Sequence, residues 1–353
     1  MLRFFYFMEQ VDYIIIGAGY AGLFFAHQLI KENKSFKIFY DENISASQIS
    51  AGVCNPVILK RFTTFWKSQE QIDYLEVIFN EIEKYQSKKY LIDENVVRIF
   101  HNDSEKIQWK KNSEKENLQS FLNNDFIKLD SVENPFEAGK VNHSARLNVT
   151  EFFQDMLNYF EENNYLIKEK FDYDLINTEN NSYKYLSFKN LVFCEGVASN
   201  HNPYFKEIPI KPNKGHCLKL KLKEKPEPYI IKKKHFLFNL QNDEYYYGGT
   251  YDRFDNSDDI NKASFEELEN GLRELYKNDF EIKDINFAFR ATVADRRPIL
   301  GRHQDHQNFY IFNGLGARGV YNGSYFSKVL FDYLENDIEL DSEIDVKRFY
   351  NDN

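Results

Sequence analysis

Short apolar runs alternate with longer amphipathic stretches along most of the chain. The run Tyr13–Ile14–Ile15–Ile16 predicts a buried strand, and a helix opens at Leu23. A second apolar run, Phe36 to Tyr40, predicts the next strand, followed by a short helix in the loop Ser45 to Gly52. Helical periodicity returns from about Phe65 to Tyr85, Leu91 to Phe100 reads as strand, and Asp103 to Leu122 reads as a charged surface helix. Asn148–Val149–Thr150 opens a helix to about Glu162, with a strand around Tyr165 to Glu169. The run Asn190 to Gly196 predicts a buried strand that ends in glycine, and several alternating strands occupy roughly 216 to 251. Ser264–Phe265–Glu266–Glu267 has the form of a capping box ahead of a helix to about Lys277. A strand from Ile282 to Ala291, a loop at 294 to 298, a buried strand from Phe309 to Phe312 and a helix to about Leu334 complete the chain. No internal repeat or low-complexity segment interrupts this order.

The first strand runs into Gly17–Ala18–Gly19–Tyr20–Ala21–Gly22, a G-x-G-x-x-G turn. In such a turn the first glycine allows the tight bend, the second lets a pyrophosphate approach the backbone, and the third lets the helix pack close to the sheet. Phosphates there meet free amides at the positive end of a helix. Asp41 follows the second strand nineteen residues after Gly22, where such units place the acid for a ribose hydroxyl. The element order predicts an α/β fold whose Rossmann-like domain is discontinuous, built from 8–75, 142–200 and 290–353. A mostly antiparallel substrate domain, 76–141 and 201–289, is inserted between its parts.

With 353 residues, 33 Phe and 24 Tyr, the chain is a folded protein with a large core. Its three scattered cysteines, Cys54, Cys194 and Cys217, predict neither a disulfide framework nor a metal site and fit a reducing cytoplasm. No apolar run approaches the ~20 residues of a membrane span. Residues 1 to 7 lack a cleavage site and read as an extension ahead of Met8. The net charge of −10 disfavours nonspecific nucleic-acid binding. Residues 211 to 234 depart from this with nine lysines, of which Lys219, Lys221 and Lys223 alternate with leucines. That alternation fits a strand with a solvated face, or a patch that attracts an anionic substrate.

Four motifs in order resemble the D-amino-acid oxidase/glycine oxidase superfamily of FAD-dependent oxidoreductases. They are the first glycine turn, Ser50–Ala51–Gly52–Val53–Cys54–Asn55–Pro56, Val192–Phe193–Cys194–Glu195–Gly196, and Arg290 through Gly301 joined to Gly314 through Gly319. Asp295–Arg296–Arg297–Pro298–Ile299–Leu300–Gly301–Arg302–His303 is similar to the glycine-oxidase-like branch and to the flavin domain of the tRNA-uridine-modifying enzyme. The resemblance implies noncovalent FAD. Gly17, Ala18, Gly19, Tyr20, Ala21 and Gly22 would hold its pyrophosphate, Asp41 the ribose, and the Tyr173 backbone the adenine. Ser47, Ala51 and Gly52 would line the phosphate and ring edge, and Gly196 a strand end beside them. Gly314, Gly316 and Gly319 would present a helix N-terminus to the flavin pyrimidine. Arg290 stands at the family's carboxylate-binding position, with Tyr251, Phe236 and Arg318 as the other catalytic-site candidates. Phe236 replaces a usual tyrosine, and Ala291 replaces a usual proline.

The activity so implied is oxidation of the C–N bond of a small amino acid or secondary amine, with hydride transfer to flavin N5. Modification of a carboxymethylaminomethyl group on tRNA and flavin binding without turnover are the rival readings. An NAD(P) dehydrogenase has no use for the second glycine turn. Among other residues, His27 and Cys54 read as packing. His303 and His306 flank a loop on the flavin side, and Lys60 and Arg61 are either solvent-facing or a positive charge beside N5. Oligomeric state, substrate and electron acceptor are open.

Overall fold

Five strands of the chain lie side by side, parallel, and end on one edge. In spatial order they are Leu166–Ile167, Phe36–Phe39, Glu9–Ile16, Leu186–Phe193 and Phe309–Asn313. The computed structural model describes residues 8–350, so the expected extension at residues 1 to 7 lies outside the described residues. Ile299–Arg302 adds to the sheet antiparallel to Phe309–Asn313, and two short strands at 176–177 and 182–183 complete its eight. The strand Glu9–Ile16 is apolar on both faces because both are covered. Tyr13 and Ile15 face the helices Tyr20–Lys31, Ser68–Gln86, Val149–Glu162 and Gly319–Glu335, whereas Ile14 and Ile16 face Phe188, Phe205 and Ile208.

A second sheet of seven strands is antiparallel except where Ile230–Lys232 meets Val96–Ile99. Its long strands Lys211–Leu222 and Phe280–Thr292 pair along their whole length. One face carries Leu218, Leu220, Leu237, Tyr245 and Tyr247 onto the helix Lys262–Leu275. The other presents Cys217, Phe238 and Tyr246 to Val57, Leu59 and Phe62, just beyond Asn55–Pro56. The architecture is therefore α/β, a Rossmann-like layer joined to a mostly antiparallel sheet.

Several elements differ from the sequence reading. The first helix starts at Tyr20 rather than Leu23, directly from Gly19. The strand expected over 91 to 100 is broken into Leu91–Ile92 and Val96–Ile99, because Glu94 turns aside to an ion pair with Arg146 (2.9 Å). The helix expected over 103 to 122 stops at Ser113, whose hydroxyl donates to the Lys110 carbonyl at 2.7 Å and competes with the backbone. It is not wholly a surface helix, since Trp109 is buried against Phe100 and Phe62. Asn261, not Ser264, caps the helix Lys262–Leu275, its side chain accepting the Ser264 amide at 3.0 Å. Ile299–Arg302 is a strand that the sequence reading lacked.

The first and last helices pack together through small residues. A Cβ on Gly319 would press on the Tyr20 ring at 2.6 Å, and one on Gly323 on the Phe24 ring at 2.8 Å. A Cβ on Gly22 would overlap the Gly17 carbonyl oxygen. Gly22→Ala therefore forces the helix off the sheet and should lower unfolding stability by about 1–3 kcal/mol, as overpacking does. A denaturant midpoint equal to that of the unmutated protein would contradict this packing.

Candidate active site

The carboxyl ends of the parallel strands carry, in spatial order, Asp41, Gly17, Glu195–Gly196 and Gly314. Crevices at this edge of an open parallel sheet are where such folds bind ligands. Gly17 adopts φ +102°, and a Cβ there would meet the Cys194 carbonyl oxygen at 2.5 Å, so the turn requires glycine. Neither the helix that begins at Tyr20 nor the one that begins at Gly319 has a side-chain cap from its N-cap residue. The packing of Tyr20 and Phe24 on Gly319 and Gly323 sets these two helix N-termini side by side.

Ser47 sits on the short helix Ala46–Ile49, fixed by a capping box between Ser45 and Gln48. Its hydroxyl accepts the Tyr20 amide at 3.1 Å, and the Tyr20 and Ser50 hydroxyls bond at 2.8 Å. Ala51 is partly exposed, and Gly52 is pinned by its carbonyl to the Leu147 amide at 2.9 Å. Ala18 and Ala21 are buried. Asp41 is exposed and accepts the Asn43 side-chain amide at 2.7 Å. Around Gly196 and Gly316 a Cβ would meet nothing within 4 Å. Open space at Gly196 and Gly316, beside two helix N-termini that receive no cap from their own N-cap side chains, is a cradle that fits a dinucleotide such as FAD.

Two further residues meet here. The Tyr173 hydroxyl donates to Glu195, and Asn202 donates to the other carboxylate oxygen at 2.7 Å. Burial pushes the Glu195 carboxyl up to about 7, while these two hydrogen bonds pull it down. Asn313 donates to the Gly196 carbonyl at 2.9 Å and ties this strand end to that of Phe309–Asn313. Glu195 lies within the motif Val192–Gly196 but had no role assigned from the sequence, and Asn202 carried no local signal.

The second sheet supplies the opposite wall. The strand Phe280–Thr292 that carries Arg290 lies against both the Ser47 helix and residues 196–201. Arg290 crosses its neighbour strand over Gly215, where any Cβ would overlap both guanidinium Nη atoms. It donates to the Thr250 carbonyl at 3.0 Å and approaches Asn213 Oδ1 at 3.5 Å, and its guanidinium lies 4.4 Å from the centre of the Tyr251 ring. All of these partners are neutral. Tyr251 is 66% exposed, so one side of this stack is open. Burial pushes the Tyr246 phenol well above its ordinary range, keeping it neutral, and Arg290 opposes this only in part. Phe236 lies opposite Gly248 across the sheet, with Lys232 4.0 Å from the centre of its ring. The hydroxyl lost at Phe236 thus has a neighbour in Tyr246, on the same sheet face.

Arg318 immediately precedes the helix Gly319–Glu335, and its guanidinium lies 4.9 Å from the centre of the Phe65 ring. The Gly316 amide donates to the Ala291 carbonyl at 3.0 Å, which fixes this turn one residue beyond Arg290. The loop bearing Tyr251 is anchored from below by Lys214, which is fully buried. Its ammonium donates to Asp255 at 3.0 Å and to the carbonyls of Ser257 and Asp259 at 2.6 and 2.5 Å. The sequence marked Lys214 only as one lysine of a basic segment. Gly215, a glycine inside a strand pattern, did carry a signal of close approach.

The remaining candidates fall outside this wall. His27 is buried between Tyr85 and Glu81, Cys54 is buried with its thiol pushed up by burial, and Lys60 and Arg61 are exposed. His303 bonds the Tyr204 carbonyl at 2.9 Å and accepts the Asp305 amide, so its ring serves a turn. No group of residues that could hold a metal ion occurs among the described residues. None of the described helices is long and apolar enough to cross a membrane.

A family model for FAD-dependent oxidoreductases, DAO, matches residues 12–333. Iminodiacetate oxidase from Chelativorans sp. BNC1 superposes with a TM-score of 0.77 at 15% identity, over 94% of this chain and 98% of that one. Glycine oxidase from Bacillus cereus ATCC 14579 does so with a TM-score of 0.75 at 15% identity, over 93% and 96%. For L-proline dehydrogenase from P. horikoshii the TM-score is 0.70 at 14% identity, over 97% of each chain. At these identities the likeness is one of fold.

The Glu195 carboxyl makes a pH prediction for the flavin-free protein. The folded state holds its proton up to about 7, whereas an unperturbed glutamate releases it near 4.5. Folding therefore becomes less favourable as pH rises through that window, and the loss is complete above it. Relative to the unmutated protein, Glu195→Gln should gain up to about 3 kcal/mol between those limits, by the linkage of one shifted proton. A stability difference that stays flat over the same range would contradict the assignment.

Proposed function

The chain belongs to the DAO family of FAD-dependent oxidoreductases, and from that membership we propose that it oxidises the C–N bond of a small amino acid or secondary amine. The observation that carries this reading is Arg290, a guanidinium with only neutral partners beside an open aromatic face. A guanidinium grips a carboxylate through two parallel hydrogen bonds, which orients the substrate as well as binding it. Noncovalent FAD, when bound, supplies the acceptor for the hydride that leaves the substrate Cα. The protein contributes position and electrostatics, and water hydrolyses the resulting imine.

The residue roles follow the cradle. The turn Gly17, Ala18, Gly19, Tyr20, Ala21 and Gly22 takes the pyrophosphate, and Asp41 the ribose by exchanging its Asn43 contact. Tyr173 offers its backbone to the adenine, with Ser47, Ala51, Gly52 and Gly196 along the phosphate and ring edge. Gly314, Gly316 and Gly319 face the pyrimidine edge, where helix-end amides favour the negative charge of a reduced flavin. The substrate lies between this layer, which carries Arg318 ahead of the helix Gly319–Glu335, and the second sheet, which carries Arg290 and Phe236 and the loop with Tyr251. We divide the chain accordingly into an FAD-binding unit, 8–75, 142–200 and 290–353, and a substrate unit, 76–141 and 201–289. Relatives of similar fold include an iminodiacetate oxidase and a glycine oxidase, named for small amines that carry carboxylates.

The lysine-rich segment supports a small substrate over RNA. Lys219 pairs with Glu244 at 2.6 Å, Lys223 with Asp279 at 3.0 Å, Lys225 with Asp243 at 2.5 Å and Lys234 with Glu267 at 2.9 Å. A surface balanced in this way offers little net charge to a phosphate backbone.

Arg290→Lys tests the reading. The variant should retain FAD but lose the bidentate grip, a charge-assisted contact worth ~1.5–3 kcal/mol. The efficiency of anaerobic flavin reduction by carboxylated amines should fall at least about tenfold, with amines lacking a carboxylate much less affected. Equal losses on both classes, or loss of flavin, would make Arg290 structural.

A further inference from the structure

Glu195 stands where three parts of the cradle meet. The Tyr173 hydroxyl donates to one of its carboxylate oxygens, and the Asn202 amide donates to the other at 2.7 Å. Its Cα would lie 3.5 Å from a Cβ on Gly17, so its backbone rests against the first glycine of the turn. The next residue, Gly196, offers its carbonyl to Asn313 at 2.9 Å and to the Ser199 hydroxyl at 2.8 Å. The segments assigned to the adenine, the pyrophosphate and the ring edge thus all touch this one residue.

The carboxylate has only neutral partners among the described residues. Its surroundings add no positive charge. The Cys194 thiol beside it is kept neutral by burial. Asp172 and Asp174, which flank Tyr173, are exposed, and Asp172 accepts the Asp174 amide at 3.1 Å. His201, next to Asn202, and Asp41, at the neighbouring strand end, are exposed as well. Glu195 itself is only partly covered by protein.

We propose that Glu195 takes up a proton from solvent when FAD enters the cradle, so that the protein holds its cofactor less tightly as the medium becomes alkaline. This rests on the FAD cradle of the reading above and not on the amine. Two effects act in the same direction. The negative pyrophosphate at the glycine turn repels a carboxylate at the adjoining strand end. A cofactor in the cradle also removes water from a carboxyl that protein covers only in part, which disfavours its charged form. Tyr173 and Asn202 bring hydrogen bonds but no charge to offset either effect. The carboxyl therefore holds its proton more firmly in the complex than in the free protein. FAD affinity falls as pH rises through the free protein's value, which burial sets at about 7, and levels off above the value in the complex.

The full chain, stripped of flavin, is titrated calorimetrically with FAD in two buffers of different ionisation enthalpy, which counts the protons exchanged. No substrate is present, so the outcome is independent of the amine. Near about pH 7.5 the unmutated protein should take up about half a proton per FAD, and its affinity should fall at least about fivefold between about pH 6 and about pH 9. The FAD lost from the holoprotein on dilution should rise over the same range. Glu195→Gln should exchange no proton and keep one affinity throughout. Tyr173→Phe removes a hydrogen bond that the carboxylate accepts, and should move the onset of the fall to higher pH. Proton release, no exchange by the unmutated protein, or a Glu195→Gln variant with an unchanged pH dependence would overturn the proposal. The cradle is checked separately by Gly19→Leu, whose Cβ alone would meet Ser47 Oγ at 3.2 Å. That variant should not retain FAD at any pH. Undiminished binding would overturn the cradle itself, and with it the place of FAD beside Glu195.

Discussion

A guanidinium held only by neutral groups governs the arrangement of this molecule. Arg290 can lie flat across its neighbour strand only because Gly215 has no side chain, and it can turn toward Thr250 only because that carbonyl is offered. Thr250 is itself fixed, exchanging hydrogen bonds with His216 through its amide at 3.1 Å and its hydroxyl at 2.9 Å. Lys214 then holds the following loop, and with it Tyr251, against the same strand. A carboxylate from the protein at this point would quench the charge. Among the described residues the partners of Arg290 are all neutral, which is the basis of the role we propose for it.

The other wall depends on close packing rather than on charge. The helices beginning at Tyr20 and Gly319 approach through glycine, and the glycine turns ahead of them are carried to one edge of the sheet. Because the five central strands are parallel, their carboxyl ends collect the residues to which we assign the dinucleotide. The strand bearing Arg290 rests on the Ser47 helix and on residues 196–201, so the charged wall and the glycine-lined wall face one crevice. Fold and chemistry are coupled at that contact.

The parts legible in the sequence are those whose cause is local. The G-x-G-x-x-G turn, the buried strand before it and Asp41 after the next strand each follow from neighbours in the chain. Lys214 acts across strands, and Glu195 acts through Tyr173 and Asn202, so their roles come from partners elsewhere in the chain rather than from their immediate neighbours. The Ser264 box misleads for a tertiary reason: Asn261 is held by its amide to His216 Nε2 at 3.1 Å and takes the cap itself. The break in the strand expected over 91 to 100 likewise comes from Arg146, more than fifty residues away. Apolar periodicity reports which face is buried, but not which distant polar group will interrupt it.

The central claim is that this crevice sets a carboxylated amine against the flavin for removal of a hydride. The direct measurement is anaerobic mixing of the FAD-loaded protein with matched amines that do or do not carry a carboxylate, following the flavin absorbance and the carbonyl product together. The account predicts bleaching by carboxylated amines, with one carbonyl product released per flavin reduced. Flavin that stays oxidised with every carboxylated amine, or that bleaches equally well with amines lacking the carboxylate, would contradict it.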